Sequence, residues 1–84
     1  MEPEVNTIEE RIKTILSNNL GYIESDIRPT DILVDDLGAD SLDIVEIIMA
    51  VEEEFNIEIS EKDVIQVVTV QELIDCVKKR IQAH

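Results

Sequence analysis

The chain has 84 residues, of which 20 are Asp or Glu and 7 are Lys or Arg, so its formal net charge at neutral pH is −13. This charge disfavours nucleic acid and anionic membranes as partners, because both bind through positive surfaces, and it favours basic proteins. The length predicts a single domain over residues 1–84, with an aliphatic core, since only Tyr22 and Phe55 are aromatic.

Cysteine content and the start of the chain bear on where the protein works. Cys76 is the only cysteine, which excludes an internal disulfide framework and a multi-cysteine metal site. The acidic start, residues 1–4, lacks the basic and apolar regions of a signal or transit peptide. No apolar run approaches the length of a membrane span. These features predict a cytoplasmic monomer, or a mature product whose targeting segment has been removed.

The first predicted element is an amphipathic helix that ends before Gly21, a residue type that commonly follows a helix. Its apolar residues recur at steps of three and four; they are Val5, Ile8, Ile12, Ile15, Leu16 and Leu20. Residues 22–39 carry turn formers between short apolar groups. They predict a long ordered loop with at most a short helical turn, and loops of this length are often functional.

The second predicted helix begins at Ser41, with Asp40 as its N-cap, and runs to about Glu54 or Phe55. Successive residues of an α-helix are rotated by about 100° around its axis. On this helix the rotation gathers the apolar residues on one arc, which is expected in the core: Ile44, Val45, Ile47, Ile48, Val51 and Phe55. The opposite arc is acidic and has two apolar residues at its border: Asp43, Glu46, Glu53 and Glu54, with Leu42 and Met49. Glu52 does not fit, because an ideal helix places it nearer the apolar side.

The acidic arc predicts that this side of the helix binds a basic partner. Acids on a solvated helix face usually alternate with Lys or Arg, which form favourable pairs at helical spacing. No basic residue lies between Arg28 and Lys62, so we expect the acids of this arc to be unpaired. Leu42 and Met49 beside them would add a small apolar contact to the charged one.

Two capping motifs predict the remaining helices. Residues 60–63, Ser-Glu-Lys-Asp, open a short helix that runs to about Gln66, and residues 69–72, Thr-Val-Gln-Glu, open the last one. The last helix has one apolar face, which consists of Val70, Leu73, Ile74, Val77 and Ile81. Cys76 lies at the edge of that face as a small hydrophobic residue. The predicted fold is all-α: a small bundle of three longer helices plus one short helix, with a long loop between the first and second helices.

Ser41 invites a functional interpretation but not a catalytic one. A nucleophilic serine needs a base within hydrogen-bond reach; the only histidine is His84, the last residue, and no Gly-x-Ser-x-Gly elbow is present. The residues alone leave two possibilities, an ordinary first-turn serine or an attachment point. A phosphate on this hydroxyl would meet free N–H groups and the positive helix end, but Asp40 and Asp43 would repel it. The helix dipole is worth at most about 2 kcal/mol, so a covalent bond would have to hold the phosphate.

The segment around Ser41 resembles a known attachment motif. Residues 37–43, Leu-Gly-Ala-Asp-Ser-Leu-Asp, are similar to the motif of acyl carrier proteins, and Glu46, Met49-Ala50 and residues 52–55 continue the likeness through the second helix. Residues 7–12 and 69–72 match the first and last helices of the same family. The likeness covers essentially the whole chain. The family is the freestanding carrier of bacterial-type, dissociated fatty acid synthesis.

This resemblance implies a 4′-phosphopantetheine arm on the Ser41 hydroxyl, taken from coenzyme A by a phosphopantetheinyl transferase. The arm's thiol would carry growing fatty acyl chains as thioesters to fatty acid synthase enzymes, so the chain itself would not be an enzyme and would need no metal. The residues implied to dock on basic patches of those enzymes are Asp40, Leu42, Asp43, Glu46, Met49 and Glu53. The residues implied to line an acyl pocket are Leu33, Val34, Val45, Val51, Ile59, Val64, Val67 and Val68.

Three other functions compete with this one. A carrier of amino-acyl or polyketide units would keep the same arm and fold, so Ser41 does not discriminate against it. An unmodified acidic adaptor would use the acidic arc alone. A calcium-binding EF-hand is excluded, because Gly38 at the sixth loop position would require acids or amides at 33 and 37 and Glu at 44, where the chain has Leu33, Leu37 and Ile44.

Overall fold

The computed structural model describes the backbone of residues 4–82 and the side chains of residues 8–82. The helices are α1 (Glu4–Leu20), α2 (Ser41–Phe55), α3 (Glu61–Gln66) and α4 (Val70–Gln82), with a 3-10 turn at Glu24–Asp26. Within residues 4–82 the β pairing is limited to one isolated bridge, Ile32 with Thr69. The predicted all-α bundle, with its long loop, is therefore confirmed. The side chain of Val5 and all of His84 lie outside the described residues.

Residues that tolerate a left-handed backbone terminate the first two helices. Gly21 has φ +80°, and its N–H donates to the Ser17 carbonyl at 2.9 Å. Asn56 (φ 56°, ψ 50°) follows α2, and its N–H donates to the Glu52 carbonyl. Gly and Asn reach this conformation most easily, so both helices end where the sequence changes to these residues.

The predicted capping residues hold the starts of α3 and α4. Thr69 Oγ1 accepts from the Glu72 N–H at 3.1 Å, and Glu72 Oε1 accepts from the N–H groups of Thr69 at 3.0 Å and Val68 at 2.9 Å. The hydrogen bonds from Thr69 and Val68 to the carboxylate lower the pKa of Glu72. Ser60 is the N-cap of α3, and its Oγ accepts from the Asp63 N–H at 3.3 Å.

The core is aliphatic, as the composition predicts, and it draws on every longer helix and on the loop. Its buried members are Ile12, Leu16, Ile27, Leu33, Leu37, Ala39, Ile47, Ile48, Val51, Ile57, Ile59, Val70, Leu73, Ile74 and Val77. Of the apolar arc of α2, Phe55 and Ile44 pack against this cluster while partly buried. The expectation is wrong for Val45, which is 56% exposed. No helix among the described residues combines the length and the apolarity that crossing a bilayer requires.

Backbone hydrogen bonds fasten the long loop to the start of α4. Leu33 N donates to Val68 O at 3.0 Å, Val70 N to Asp31 O at 3.0 Å, and Gln71 N to Pro29 O at 2.9 Å. In the residues just before α2, Ala39 N donates to Leu33 O at 2.9 Å. The loop therefore fixes the position of the α2 N-terminus relative to α4.

Three ion pairs join the described residues, and one of them corrects an expectation. Arg11 Nη2 on α1 lies 2.6 Å from Glu54 Oε2, and the Arg11 guanidinium stands 5.0 Å from the centroid of the Phe55 ring. The expectation that the acids of the α2 arc are unpaired is thus wrong for Glu54, because its partner comes from another helix. The other pairs are Lys78–Glu9 at 3.6 Å and Arg80–Asp63 at 2.5 Å.

Candidate functional site

Two aspartates form a reciprocal cap at the start of α2. Asp40 has an extended backbone (φ −98°, ψ −174°), as an N-cap residue should, and α2 begins at Ser41 as predicted. Asp40 Oδ1 accepts from the Asp43 N–H at 2.9 Å, and Asp43 Oδ2 accepts from the Asp40 N–H at 3.2 Å. Asp43 therefore has a structural role that the sequence analysis missed. The signal was available, since an acid three residues after an N-cap is the pattern of a capping box.

Ser41 lies between these two aspartates and is exposed. No hydrogen bond within the described part of the chain engages its hydroxyl, and none gives the N–H groups of Ser41 or Leu42 a protein acceptor. The turn before it contains Gly38 at φ +73°, a conformation that other residues rarely adopt. The hydroxyl is thus accessible at a helix end whose free N–H groups suit an oxyanion. An attached phosphate group fits this arrangement.

The stripe of α2 that follows Ser41 is solvent-exposed. Leu42, Glu46, Met49 and Glu53 succeed one another at spacings of four, three and four residues, and all four are exposed. Leu42 is 64% and Met49 56% exposed, high values for large apolar side chains. Of the six predicted docking residues, Asp40 is also exposed and Asp43 is partly buried. We refer to these six residues as the docking face, after the role that the sequence predicts for them.

No ion pair among the described residues neutralises the acids of the docking face. The ion pairs among the described residues involve Glu54, Glu9 and Asp63, and none reaches an acid of the docking face. Acids left unpaired at the surface cost stability through mutual repulsion. They also present an electrostatic field to a basic partner.

The eight predicted acyl-pocket residues occupy three different environments. Leu33, Val51 and Ile59 are buried in the core, Val64 and Val67 are partly buried, and Val34, Val45 and Val68 are exposed. The hydrogen bond from Leu33 N to Val68 O places Val34 and Val68 on neighbouring chain segments. A cleft of about 250 Å³ between α3 and α4 includes one of the eight, Val67. The acyl pocket itself stays a prediction.

Glu52, which did not fit the helical pattern, has a structural partner. Its Oε2 accepts from the N–H of Ile59 at 2.8 Å in a partly buried environment. Its carbonyl oxygen accepts from the N–H of Ile57 at 3.1 Å. Glu52 therefore ties the C-terminal end of α2 to the segment that leads into α3. In the sequence, only the position of Glu52 near the apolar arc is unusual for an acid, and this position does not indicate which group the carboxylate binds.

Metal-binding and thiol chemistry have little support among the described residues. Within that part of the chain no group of three or more His, Cys, Asp or Glu side chains is arranged to hold a metal ion. Cys76 is partly buried against the core. Burial, and to a lesser degree the nearby Asp63 carboxylate, raises the pKa of its thiol, which disfavours the reactive thiolate.

Comparison with known proteins agrees with the attachment motif. Residues 10–77 match the family model described as phosphopantetheine attachment site. The chain is also similar to an acyl carrier protein of Buchnera aphidicola subsp. Baizongia pistaciae (strain Bp), with 49% identity over 77 residues that cover 92% of this chain and 99% of that protein. The match extends well beyond the motif and spans all four helices. The chain therefore belongs to the acyl carrier protein family and carries acyl groups on a 4′-phosphopantetheine prosthetic group.

Proposed function

We propose that Ser41 Oγ is the atom that carries the arm, and that the chain delivers fatty acyl thioesters to the enzymes of fatty acid synthesis. One observation carries this proposal: the Ser41 hydroxyl is exposed and unengaged at the start of α2. The arm supplies a terminal thiol to which acyl groups are joined as thioesters. The polypeptide supplies the attachment oxygen, a rigid support for it, and the docking face.

The surroundings of Ser41 support attachment by a separate enzyme. No described side chain hydrogen-bonds to the hydroxyl, so the base that removes its proton must come from a phosphopantetheinyl transferase. Once joined, the phosphodiester would lie near the free N–H groups of Ser41 and Leu42. The carboxylates of Asp40 and Asp43 are occupied in capping, which keeps the helix start intact while a partner works on it.

The docking face supports basic proteins as partners. Its acids lack ion pairs among the described residues, and its two exposed apolar residues, Leu42 and Met49, lie between them. Such a surface fits a transferase or a synthase enzyme that has a basic patch around its active-site entrance. We further propose that residues 1–84 act as one non-catalytic carrier domain in the cytoplasm, where the single cysteine would remain reduced.

Intact-mass measurement tests the attachment site. The wild-type protein, incubated with coenzyme A and a phosphopantetheinyl transferase, is expected to gain the mass of one phosphopantetheine group. Ser41→Ala should gain nothing, while Ser25→Ala, which alters another exposed serine in the 3-10 turn, should gain the same mass as the wild type. An unmodified wild type, or an equal gain in Ser41→Ala, would contradict the proposal. The mass of the protein purified from its own cells would then identify the acyl groups.

A further inference from the structure

Among the four α-helices of the described residues, α3 is the one without a buried side chain. It has six residues. Val64 and Val67 are partly buried and pack against the core, whereas Ile65 is 79% exposed. A helix this short is unstable in isolation, because too few hydrogen bonds offset the cost of nucleation. Tertiary contacts must therefore keep α3 in place.

A cleft separates part of α3 from α4, so apolar packing between them is incomplete. Its volume is about 250 Å³. The lining residues come from both helices: Asp63, Gln66 and Val67 from α3 and its end, and Glu72, Asp75, Cys76 and Lys79 from α4. Five of the seven lining residues are polar or charged, and only Val67 and Cys76 are apolar, so few apolar side chains contact each other across this gap.

One charged contact bridges the two helices beside the cleft. Arg80 Nη2, near the end of α4, lies 2.5 Å from Asp63 Oδ2 in the first turn of α3. The hydrogen bond to Arg80 is the chief cause of a lowered Asp63 pKa, and the same bond raises the pKa of Arg80. Lys79 adds to the positive charge near Asp63, and Ser60 caps the same turn. Both partners therefore stay charged at neutral pH.

We propose that the Asp63–Arg80 ion pair is a latch that holds α3 closed against α4. When the pair separates, α3 moves away from α4, and Val67 and Cys76, which are partly buried in the closed arrangement, become more exposed. The two side chains are 32% and 39% exposed, and solvent weakens ion pairs of this kind. The latch therefore shifts the population of open α3 without deciding whether the domain folds.

Hydrogen exchange of the full-length protein tests the latch. The variants are Arg80→Gln, Asp63→Asn and the double variant, with Arg11→Gln as the matched control that breaks the other short Arg–carboxylate pair. We expect exchange at the amides of Val64 and Val67, whose N–H groups bond to Ser60 O and Val64 O, to accelerate about two- to fivefold in either single variant. The double variant should add nothing further, because one lost partner already breaks the pair. Arg11→Gln should leave α3 exchange unchanged.

Each alternative outcome rejects the latch. Unchanged α3 exchange in Arg80→Gln would show that the pair does not hold the helix. Equal acceleration in α1, α2 and α3 would show that the pair supports the whole domain and not α3 in particular. Additive effects of the two single changes would show that the residues act independently. The measurement does not involve Ser41, so its result is independent of the proposed attachment site.

Discussion

Asp40 and Asp43 bond to each other's backbone N–H groups across Ser41, at 2.9 and 3.2 Å. Two acids of the docking face thus also build the end of the helix on which the serine lies. Their charge and their capping function are different properties, and substitution can separate them. Asn retains a side-chain oxygen that accepts a hydrogen bond, whereas Ala removes both the charge and the acceptor.

We expect Asp40→Ala to lower the free energy of unfolding by about 1 kcal/mol, the usual effect of removing an N-cap acceptor. Asp40→Asn should stay close to the wild type, because its side-chain oxygen can still accept from the Asp43 N–H. Urea denaturation of the three proteins measures the difference. A loss in Asp40→Asn as large as that in Asp40→Ala would mean that charge, and not capping, accounts for the stability.

Glu46→Lys should weaken binding to a basic synthase enzyme several-fold, mainly by slowing association, while the domain remains folded. The reason is that Glu46 lies in the middle of the exposed stripe and has no ion-pair partner among the described residues. Association rates measured over a salt series provide the readout, since added salt screens this attraction. Glu10→Lys makes the same charge change at an exposed position of α1. Equal weakening by both variants would indicate an effect of net charge alone.

Replacing Glu52 is expected to lower the free energy of unfolding more than replacing an ordinary acid on a helix surface. Glu52→Ala leaves the partly buried N–H of Ile59 without its acceptor, and such a loss typically costs about 1–3 kcal/mol. The neighbouring Glu53→Ala removes an exposed acid of the docking face and should change the free energy of unfolding by less than about 0.5 kcal/mol. Chemical denaturation of both variants gives the comparison. Equal effects would argue against a structural role for Glu52.

The lowered pKa of Glu72 predicts a pH-dependent stability. Its pKa is lower in the folded than in the unfolded chain, so the unfolded chain binds more protons as acid is added. The carboxylate therefore contributes stability above the usual pKa of glutamate, and that contribution is lost as the pH falls through the folded-state value. We expect Glu72→Gln to melt below the wild type at neutral pH, because an amide oxygen is a weaker acceptor than a carboxylate, and the gap to close in acid. The exposed Glu58→Gln, outside the capping box, controls for the general change in charge. A gap that persists at low pH would contradict the assignment.

The parts of the structure that could be predicted are the helix ends, because they depend on interactions between residues close together in the sequence. Gly21, Asp40 and the Thr69–Glu72 box each act within four residues of their own position. Their residue types prefer helix ends for reasons that hold in almost any fold. Ser41 could be singled out because the residues on both sides of it form a long, specific motif.

The parts that could not be predicted depend on how distant segments meet. Arg11 and Glu54 are 43 positions apart, and no helical periodicity indicates that they pair. Glu52 and Ile59 are seven positions apart, across the end of α2. The same limit applies to Val34, Val45 and Val68, which are exposed although their aliphatic character suits a lining. These three residues come from the long loop, from α2 and from the segment between α3 and α4, and the sequence does not show which of their side chains are covered by other segments.

The hydrogen bonds that fasten residues 29–33 to residues 68–71 have a mechanical consequence. We therefore expect the base of the proposed tether to move together with the C-terminal helix, so that the backbone adds little to the distance that the tether can span. The distance over which a cargo can be passed from one enzyme to the next must then be set by the length of the tether and by diffusion of the entire molecule.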